Sequence, residues 1–525
     1  MPTLNWIGKE KILNHDKEVP FRLMKKNQKY SLGKSENLIL EGDNLEALKA
    51  LMPFYYGKIK CIYIDPPYNT GNEKWVYNDK VNSPKIKEWL GKVVGPEGDD
   101  LCRHDKWLCM MYPRLRLLRE LLRDDGVIFI SIDDNEHCDL KMTMDEIFGI
   151  ENFIACFIWK KKSGGAADVG EVATDHEYIL LYGKTSDPKL FLDTEAEATT
   201  SYNLVDEYGK KYGLDRLDKQ SLGYQKSLDY PIIGSDGREY IVQHRNQKNK
   251  IARWRWSKNT VTERYDELVF KWPYVYTKNY EKDDGMKPRT LLVDERFGRT
   301  RTGKTELKEI FGRIGKFEHP KPSKLIKHLL SLSTDKKDLV LDSFAGSGTT
   351  GHAVLDLNKE DGGNRKFILI EMEKNIAKNI TAERVKRVAR GYSYKTSNGK
   401  AVKVAGLGGG FEYVELGEPL FDKDGTINKS VSFEDMARYV YFTETRTNLE
   451  KKNIKGNYLG EFNGNHYFLL FDGIGKNILD RNFLRELKGK DGRKIIYADK
   501  CLLDEEALEK NQIIFKQIPY AVKVY

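Results

Sequence analysis

Leu339-Val340-Leu341-Asp342-Ser343-Phe344-Ala345-Gly346-Ser347-Gly348-Thr349-Thr350-Gly351 decides the fold class of this chain. Three apolar residues of strand type run into a glycine-rich turn, and the residues beyond it begin a helix. Such a turn lets the backbone approach a ligand closely, and an acid at the end of the following strand is placed to grip a ribose. That strand is Phe367-Ile368-Leu369-Ile370, and Glu371 ends it. Gly346 to Gly351 also spells G-x-G-x-x-G, so a nicotinamide or flavin nucleotide competes for the same turn.

The alternation extends in both directions. A helix over Lys321–Ser333 precedes the turn. Much earlier, Leu38-Ile39-Leu40 reads as a strand, Gly42-Asp43-Asn44 as a turn with an N-cap, and Leu45–Met52 as a helix. Cys61-Ile62-Tyr63-Ile64 is a second buried strand. A helix from Trp107 to Arg123, stopped by Asp124-Asp125-Gly126, leads to a strand at Val127–Ile130. Strand and helix in repetition predict an α/β fold with a mostly parallel sheet and crossover helices.

The strand ending at Ile64 runs into Asp65-Pro66-Pro67-Tyr68-Asn69-Thr70-Gly71. Two prolines fix φ and remove two N–H groups, leaving rigid carbonyls as acceptors. Asp65 adds an acceptor and Tyr68 a flat face. Together they suit an aromatic amine, whose lone pair is delocalised until two acceptors on its hydrogens favour sp³-like geometry. A strand-ending Pro-Pro turn is the plain alternative. The carboxyl end of a parallel strand, where such sheets bind ligands, favours function.

Composition excludes more than it assigns. The 525 residues exceed one simple core and fit about two to four domains. The chain has 40% hydrophobic and 32% charged residues, no bilayer-length apolar run and no signal-like N-terminus, so it reads as cytoplasmic. Six cysteines (Cys61, Cys102, Cys109, Cys138, Cys156, Cys501) form no CxxC pair and read as reduced thiols, without a metal site. His104, His137 and His176 have no metal-ligand spacing. The net charge of +9 permits a polyanionic partner. Between about 185 and 315 the alternation lapses, and Arg245, Lys248, Arg253, Trp254, Arg255 and Trp256 interleave cations with aromatics, as unstacked nucleic acid wants. A basic strand with its tryptophans in a small core is the competing reading. Lys160-Lys161-Lys162 before Ser163-Gly164-Gly165 is a weaker phosphate candidate. Gly298 to Thr305 spells a P-loop, but its feeding strand Leu291-Leu292-Val293 is short and detached, so ATP binding is not expected.

The pair D-P-P-Y and F-A-G-S-G-T-T, in that order, resembles the β class of DNA amino-methyltransferases. The chain is more similar still to the modification (Mod) subunits of type III restriction-modification systems. E-G-D-N-L-E-A-L-K at 41–49, M-Y-P-R-L at 111–115, V-I-F-I-S-I-D-D at 127–134, H-P-K-P at 319–322 and the ending I-I-F-K-Q-I-P-Y carry that likeness. The resemblance implies a Rossmann-like methyltransferase using S-adenosylmethionine (SAM) on N6 of a flipped-out adenine in double-stranded DNA. Asp65 and the Pro66 carbonyl would accept from N6, Pro67 would stiffen the motif, and Tyr68 would stack on the base. SAM would contact Asp65, Phe317, His319, Lys321, Pro322, Ser323, Asp342, Phe344, Gly346, Gly348, Thr349 and Glu371. The implied organisation is an N-terminal extension (1–30), a catalytic half (31–185), a target-recognition insertion (186–315), a SAM-binding half (316–415) and a C-terminal α+β module (416–525). A homodimer and a separate restriction (helicase-nuclease) subunit are implied partners. Cytosine N4 is an alternative target. A dinucleotide-dependent oxidoreductase, or a DNA-binding subunit without catalysis, would come from other classes; the first leaves D-P-P-Y unexplained, and intact Asp65 and Tyr68 oppose the second.

Overall fold

Ile59–Ile64 is buried at every position, the mark of a strand covered on both faces. In the computed structural model it is one of ten strands in a single sheet: β1 (Arg22–Lys26), β2 (Leu38–Glu41), β3 (Ile59–Ile64), β4 (Leu122–Ile132), β5 (Phe153–Lys160), β6 (His176–Gly183), β7 (Leu291–Leu292), β8 (Leu339–Asp342), β9 (Lys366–Glu371) and β10 (Glu412–Pro419). Their order is β1-β10-β2-β9-β8-β3-β4-β6-β5-β7. The run from β10 to β4 is parallel, as is the β5–β7 pair; β1–β10, β4–β6 and β6–β5 are antiparallel. The described residues are 3–70, 103–164, 172–196, 202–246, 248, 250–280, 285–312, 317, 319–396, 398–422, 425–473, 475–487 and 489–518. Gly71, Cys102, Gly165 and the closing Pro519-Tyr520, used in the sequence reading, lie outside them.

Strand alternation sorts the core into two layers. Ile62, Ile64, Ile128, Ile130, Ile368 and Ile370 face α1 (Asn44–Tyr55), α2 (Arg103–Leu121) and α3 (His137–Phe148), through Leu48, Trp107, Met111, Leu115 and Met144. Tyr63, Phe129, Val340, Phe367 and Leu369 face the other way. They meet α4 (Thr300–Phe311), α5 (Ser323–Ser331), α6 (Thr349–Asp361) and α7 (Ala382–Arg390), through Ile310, Leu325, Leu329, Val354 and Val385. The result is the doubly wound α/β architecture of Rossmann-like folds. β3 and β8 are neighbours although distant in sequence, so the loops after Ile64 and after Asp342 leave the sheet side by side. That is a topological switch point, where open α/β sheets bind ligands.

Two local readings change. The helix expected to Arg123 ends at Leu121, and the Asp124-Asp125-Gly126 stop belongs to β4. There Leu122 pairs with Ile59 and Val127 with Cys61, so the intervening residues form a bulge. The N-terminal extension supplies β1, which pairs with β10. The Gly298–Thr305 segment forms no phosphate loop. Residues from Thr300 onward are α4, and a Cβ on Gly303 would stand 2.2 Å from the Pro320 carbonyl, so this glycine serves helix packing.

The chain divides into two compact units, Leu192–Pro288 and the remainder. The inserted unit is thus narrower than 186–315, because β7 and α4 belong to the sheet layers. It contains a four-stranded antiparallel sheet and its own core around Leu217, Tyr240, Trp254 and Val275. The C-terminal residues form a second four-stranded sheet (Tyr458–Phe462, Asn465–Leu469, Arg493–Ala498, Ile513–Gln517) and α8 (Phe433–Thr445), and they group with the larger unit. No helix among the described residues is long and apolar enough to cross a membrane.

Candidate active site

Asp65 directly follows β3, and Pro66-Pro67 carry the chain away from the sheet. Trp107 of α2 donates from Nε1 to the Pro67 carbonyl at 2.6 Å, fixing the turn from beneath. Of the two proline carbonyls, the Pro67 one is therefore committed to the scaffold. Asn69 adopts φ +57° and donates from Nδ2 to the Arg103 carbonyl at 3.1 Å and to Glu136. Glu136, fully buried, also meets His104 Nδ1 at 2.8 Å, and Asp139 lies close by. Sequence spacing missed this set, which closes only in space, through α2 and α3. Through Glu136 it braces Asn69. Burial pushes the Glu136 carboxyl up to about 8.

Above this turn lies a cavity of about 350 Å³. Of the residues expected at the site, Asp65, Pro66, Pro67, Tyr68, Phe317, His319, Lys321, Asp342, Phe344, Gly346 and Thr349 line it. Pro322, Ser323, Gly348 and Glu371 do not; they stand behind its wall. Pro322 caps α5, and Ser323 gives its N–H and hydroxyl to Glu306 at 3.1 and 3.0 Å. Glu371 is 1% exposed, and its oxygens accept from Gly346 N–H at 2.9 Å and Glu373 N–H at 2.8 Å. The acid assigned to a ribose is thus engaged with the backbone of the glycine turn. Gly346 has φ +49°, and a Cβ there would sit 2.8 Å from Phe317 Cζ, so the turn needs glycine for conformation and for space.

The polar floor of the cavity is a charge cluster. Lys321 Nζ donates to Asp65 Oδ1 and Oδ2 at 2.7 and 2.8 Å and to Tyr68 Oη at 2.8 Å. The Tyr68 hydroxyl lies 2.9 Å from Asp65 Oδ1 and 3.1 Å from Glu177 Oε2. Glu177 also pairs with Lys321 and Lys161, each at 3.3 Å. Lys321, expected on the cofactor, thus holds Asp65 and Tyr68 in this structure. Burial pushes Asp65 up, against the pull of Lys321. Burial also works to raise Glu177, but Lys321 and Lys161 outweigh it and leave this carboxyl low. At the opposite wall Asp342 accepts from Phe344 N–H at 3.0 Å and from the Thr350 hydroxyl, neither of them charged. Burial pushes it up to about 7. His319 is held down at about 4 by burial, with Lys304 and Lys321 adding to the effect.

Sequence reasoning missed Glu177. It is the second residue of β6, in His176-Glu177-Tyr178, where an acid near a strand start reads as solvent-facing; the antiparallel β4–β6 pairing carries it to the cavity. Arg384 of α7 was missed too. Fully buried, it donates to Ser347 Oγ at 3.0 Å, Thr349 Oγ1 at 2.8 Å and Glu306 Oε2 at 3.1 Å, tying the glycine turn to α4.

In the inserted unit, the six residues proposed for nucleic acid separate. Trp254 is 0% exposed and donates from Nε1 to the Tyr230 carbonyl at 2.6 Å. It is a core residue, unavailable for stacking, which corrects that assignment. Arg253 is bound to Gln225 and Arg255 to Asp215 and Thr277. Trp256 is half-buried under Arg264, whose guanidinium lies 4.5 Å from its ring centroid; Arg245 and Lys248 are exposed.

Residues 59–383 match the DNA methylase family described as N6_N4_Mtase. The StyLTI Mod subunit of a type III restriction-modification enzyme from Salmonella typhimurium is 35% identical over 372 residues, 67% of this chain and 54% of that one. The EcoPI Mod subunit of Escherichia phage P1 is 34% identical over 72% of this chain and 65% of its own length. The type II methyltransferase M.KpnI of Klebsiella pneumoniae is 35% identical over 66% of this chain and 83% of that protein. The matched part thus spans between about half and two thirds of the Mod subunits.

Proposed function

Because the chain belongs to this family of DNA methylases, matched over residues 59–383, we propose that it transfers a methyl group from SAM to N6 of an adenine flipped out of duplex DNA. The observation that carries this reading is the juxtaposition of the Asp65–Tyr68 turn and the Gly346 turn on one cavity. Modification of host DNA in the cytoplasm, beside a separate restriction subunit and with a second copy of the chain, is the setting that the Mod likeness suggests.

The cavity fits SAM. Its glycine turn is closed on Phe317 where a Cβ would clash, and it holds a buried carboxyl, Asp342, whose two hydrogen-bond donors carry no charge. When bound, SAM supplies an electrophilic methyl on a positively charged sulfur. Phe317, His319, Asp342, Phe344, Gly346 and Thr349 would hold it. Asp65 and the Pro66 carbonyl would orient the two hydrogens of the amine and restore its lone pair, and Asp65 would accept the proton that nitrogen releases. Tyr68 would pack on the base. Arg245 and Lys248, both exposed, would be free to meet phosphate. Single-molecule sequencing of DNA from cells expressing the chain tests the reading. N6-methyladenine at one short motif is expected; N4-methylcytosine would move the activity to the sister reaction, and unmodified DNA would refute it.

Asp342 gives SAM binding a pH signature. Burial holds its carboxyl up at about 7, so it is neutral below that pH and anionic above it. A cationic ligand prefers the anion. Affinity for SAM is therefore expected to fall about tenfold for each unit below pH 7. Calorimetric titration at pH 6 and 8 reads this directly, and Asp342→Asn should bind weakly with little slope. A wild-type affinity as flat as the variant's would exclude Asp342 as the group that meets the cation.

A further inference from the structure

The acceptor assigned to the target amine already has a donor within the chain. The Lys321 ammonium lies on both Asp65 oxygens, at 2.7 and 2.8 Å, and on the Tyr68 hydroxyl at 2.8 Å. N–H donors thus stand where those of adenine would have to come. The same nitrogen lies 3.3 Å from Glu177 Oε2, so a second carboxylate is already within its reach. Tyr68 Oη is poised between the same two acids, at 2.9 and 3.1 Å. The ammonium also lies 4.9 Å from the Tyr68 ring centroid, at the hydroxyl end of the ring.

We propose that Lys321 is a reversible stand-in for the target amine, seated on Asp65 until a base arrives and then passed to Glu177. The proposal rests on the methyltransferase reading above. Its logic is charge compensation. A carboxylate enclosed by protein is costly without a donor partner, and the ammonium supplies one while the site is empty. An incoming amine brings two N–H groups but no charge. It can displace the ammonium only if that charge has another anion to go to, and Glu177 is that anion. The return step follows from the product. N6-methyladenine has one N–H fewer than adenine, so the balance tips back toward Lys321, which retakes Asp65 and expels the methylated base. Lys321 and Glu177 are thus positioning residues that set how tightly a base is held.

The test uses a duplex carrying the chain's own methylation site, found by sequencing as above, and a second duplex with hypoxanthine in place of the target adenine. Hypoxanthine offers no amine, so its duplex reports general DNA affinity. Both are titrated, with a non-reactive SAM analogue present, onto wild-type, Lys321→Met and Glu177→Gln protein. Lys321→Met keeps the buried aliphatic stem and removes the competitor, so preference for adenine over hypoxanthine should rise about tenfold. Glu177→Gln removes the second seat and strands the ammonium on Asp65, so the preference should fall by about the same factor. Mere structural damage would lower affinity for both duplexes in both variants. A preference that moves in the same direction in both variants, or in neither, overturns the exchange. If no methylated site is found, the methyltransferase reading fails and takes the exchange with it.

Discussion

Replacing Asp65 by Ala is expected to lower the rate of methyl transfer by a factor of about 10² to 10³, the usual cost of removing one preorganised transition-state partner. Affinity for duplex should change far less. The reason lies in which state needs the carboxylate. An adenine amine binds acceptably with its lone pair in the ring, but attack requires that lone pair on nitrogen, and the two acceptors favour this geometry. Asp65→Asn keeps one acceptor oxygen and should lose less than the Ala variant. Single-turnover kinetics with labelled SAM separates the transfer step from binding. Full activity in Asp65→Ala would remove the D-P-P-Y turn from the mechanism altogether. The loss should not depend on Asp65 acting as a strong base, since the amine nitrogen becomes acidic as the methyl bonds to it and an ordinary carboxylate suffices to accept its proton.

Arg384→Ala should have the largest effect on stability, a loss of about 3–5 kcal/mol, because removing one partner of a buried pair leaves an uncompensated charge. The stranded partner is Glu306, which also receives the Ser323 N–H and hydroxyl. One guanidinium therefore supports the glycine turn through Ser347 and Thr349, and α5 through Glu306. Urea unfolding monitored by circular dichroism measures the loss. Arg384→Met combined with Glu306→Gln should recover most of it, since no charge is then left behind. A loss below about 1 kcal/mol for Arg384→Ala would show that the pair is dispensable. SAM affinity should fall with stability in the single variant.

Much of this site could be read from local sequence because its residues sit at strand ends. Asp65 and Asp342 close short apolar runs, so the elements and the ends to which the loops belong were legible together. Phe317 and His319 were legible only by likeness, as no periodicity marks them. Glu177 and Arg384 were not legible. The first depends on an antiparallel pairing between β4 and β6 that follows a parallel run, and the second on a helix face turned inward against α4. β1 was missed for a related reason. Only Leu23 and Met24 of Arg22–Lys26 are apolar, and the partner that makes a strand of them begins at Glu412. The basic insertion was legible as a segment but not residue by residue, because Trp254, at a strand end, is fully buried while Trp256, two residues on, only packs against the same core, and only a fold tells the two apart.

The neighbour relation of β3 and β8 has a consequence for how this protein is made. β3 is wholly buried in the finished sheet, yet one of its two edges is completed only by Val340 and Leu341. A ribosome releasing the chain from its N-terminus exposes that apolar edge until all of the insertion and α5 have been synthesised. Long-range pairings of this kind fold late, and an open hydrophobic edge is where nascent chains associate wrongly. The same arrangement makes the protein divisible. A break in an exposed loop of the insertion would give two fragments, each holding one wall of the cavity, whose reassembly would have to rebuild the β3–β8 seam before either wall could work.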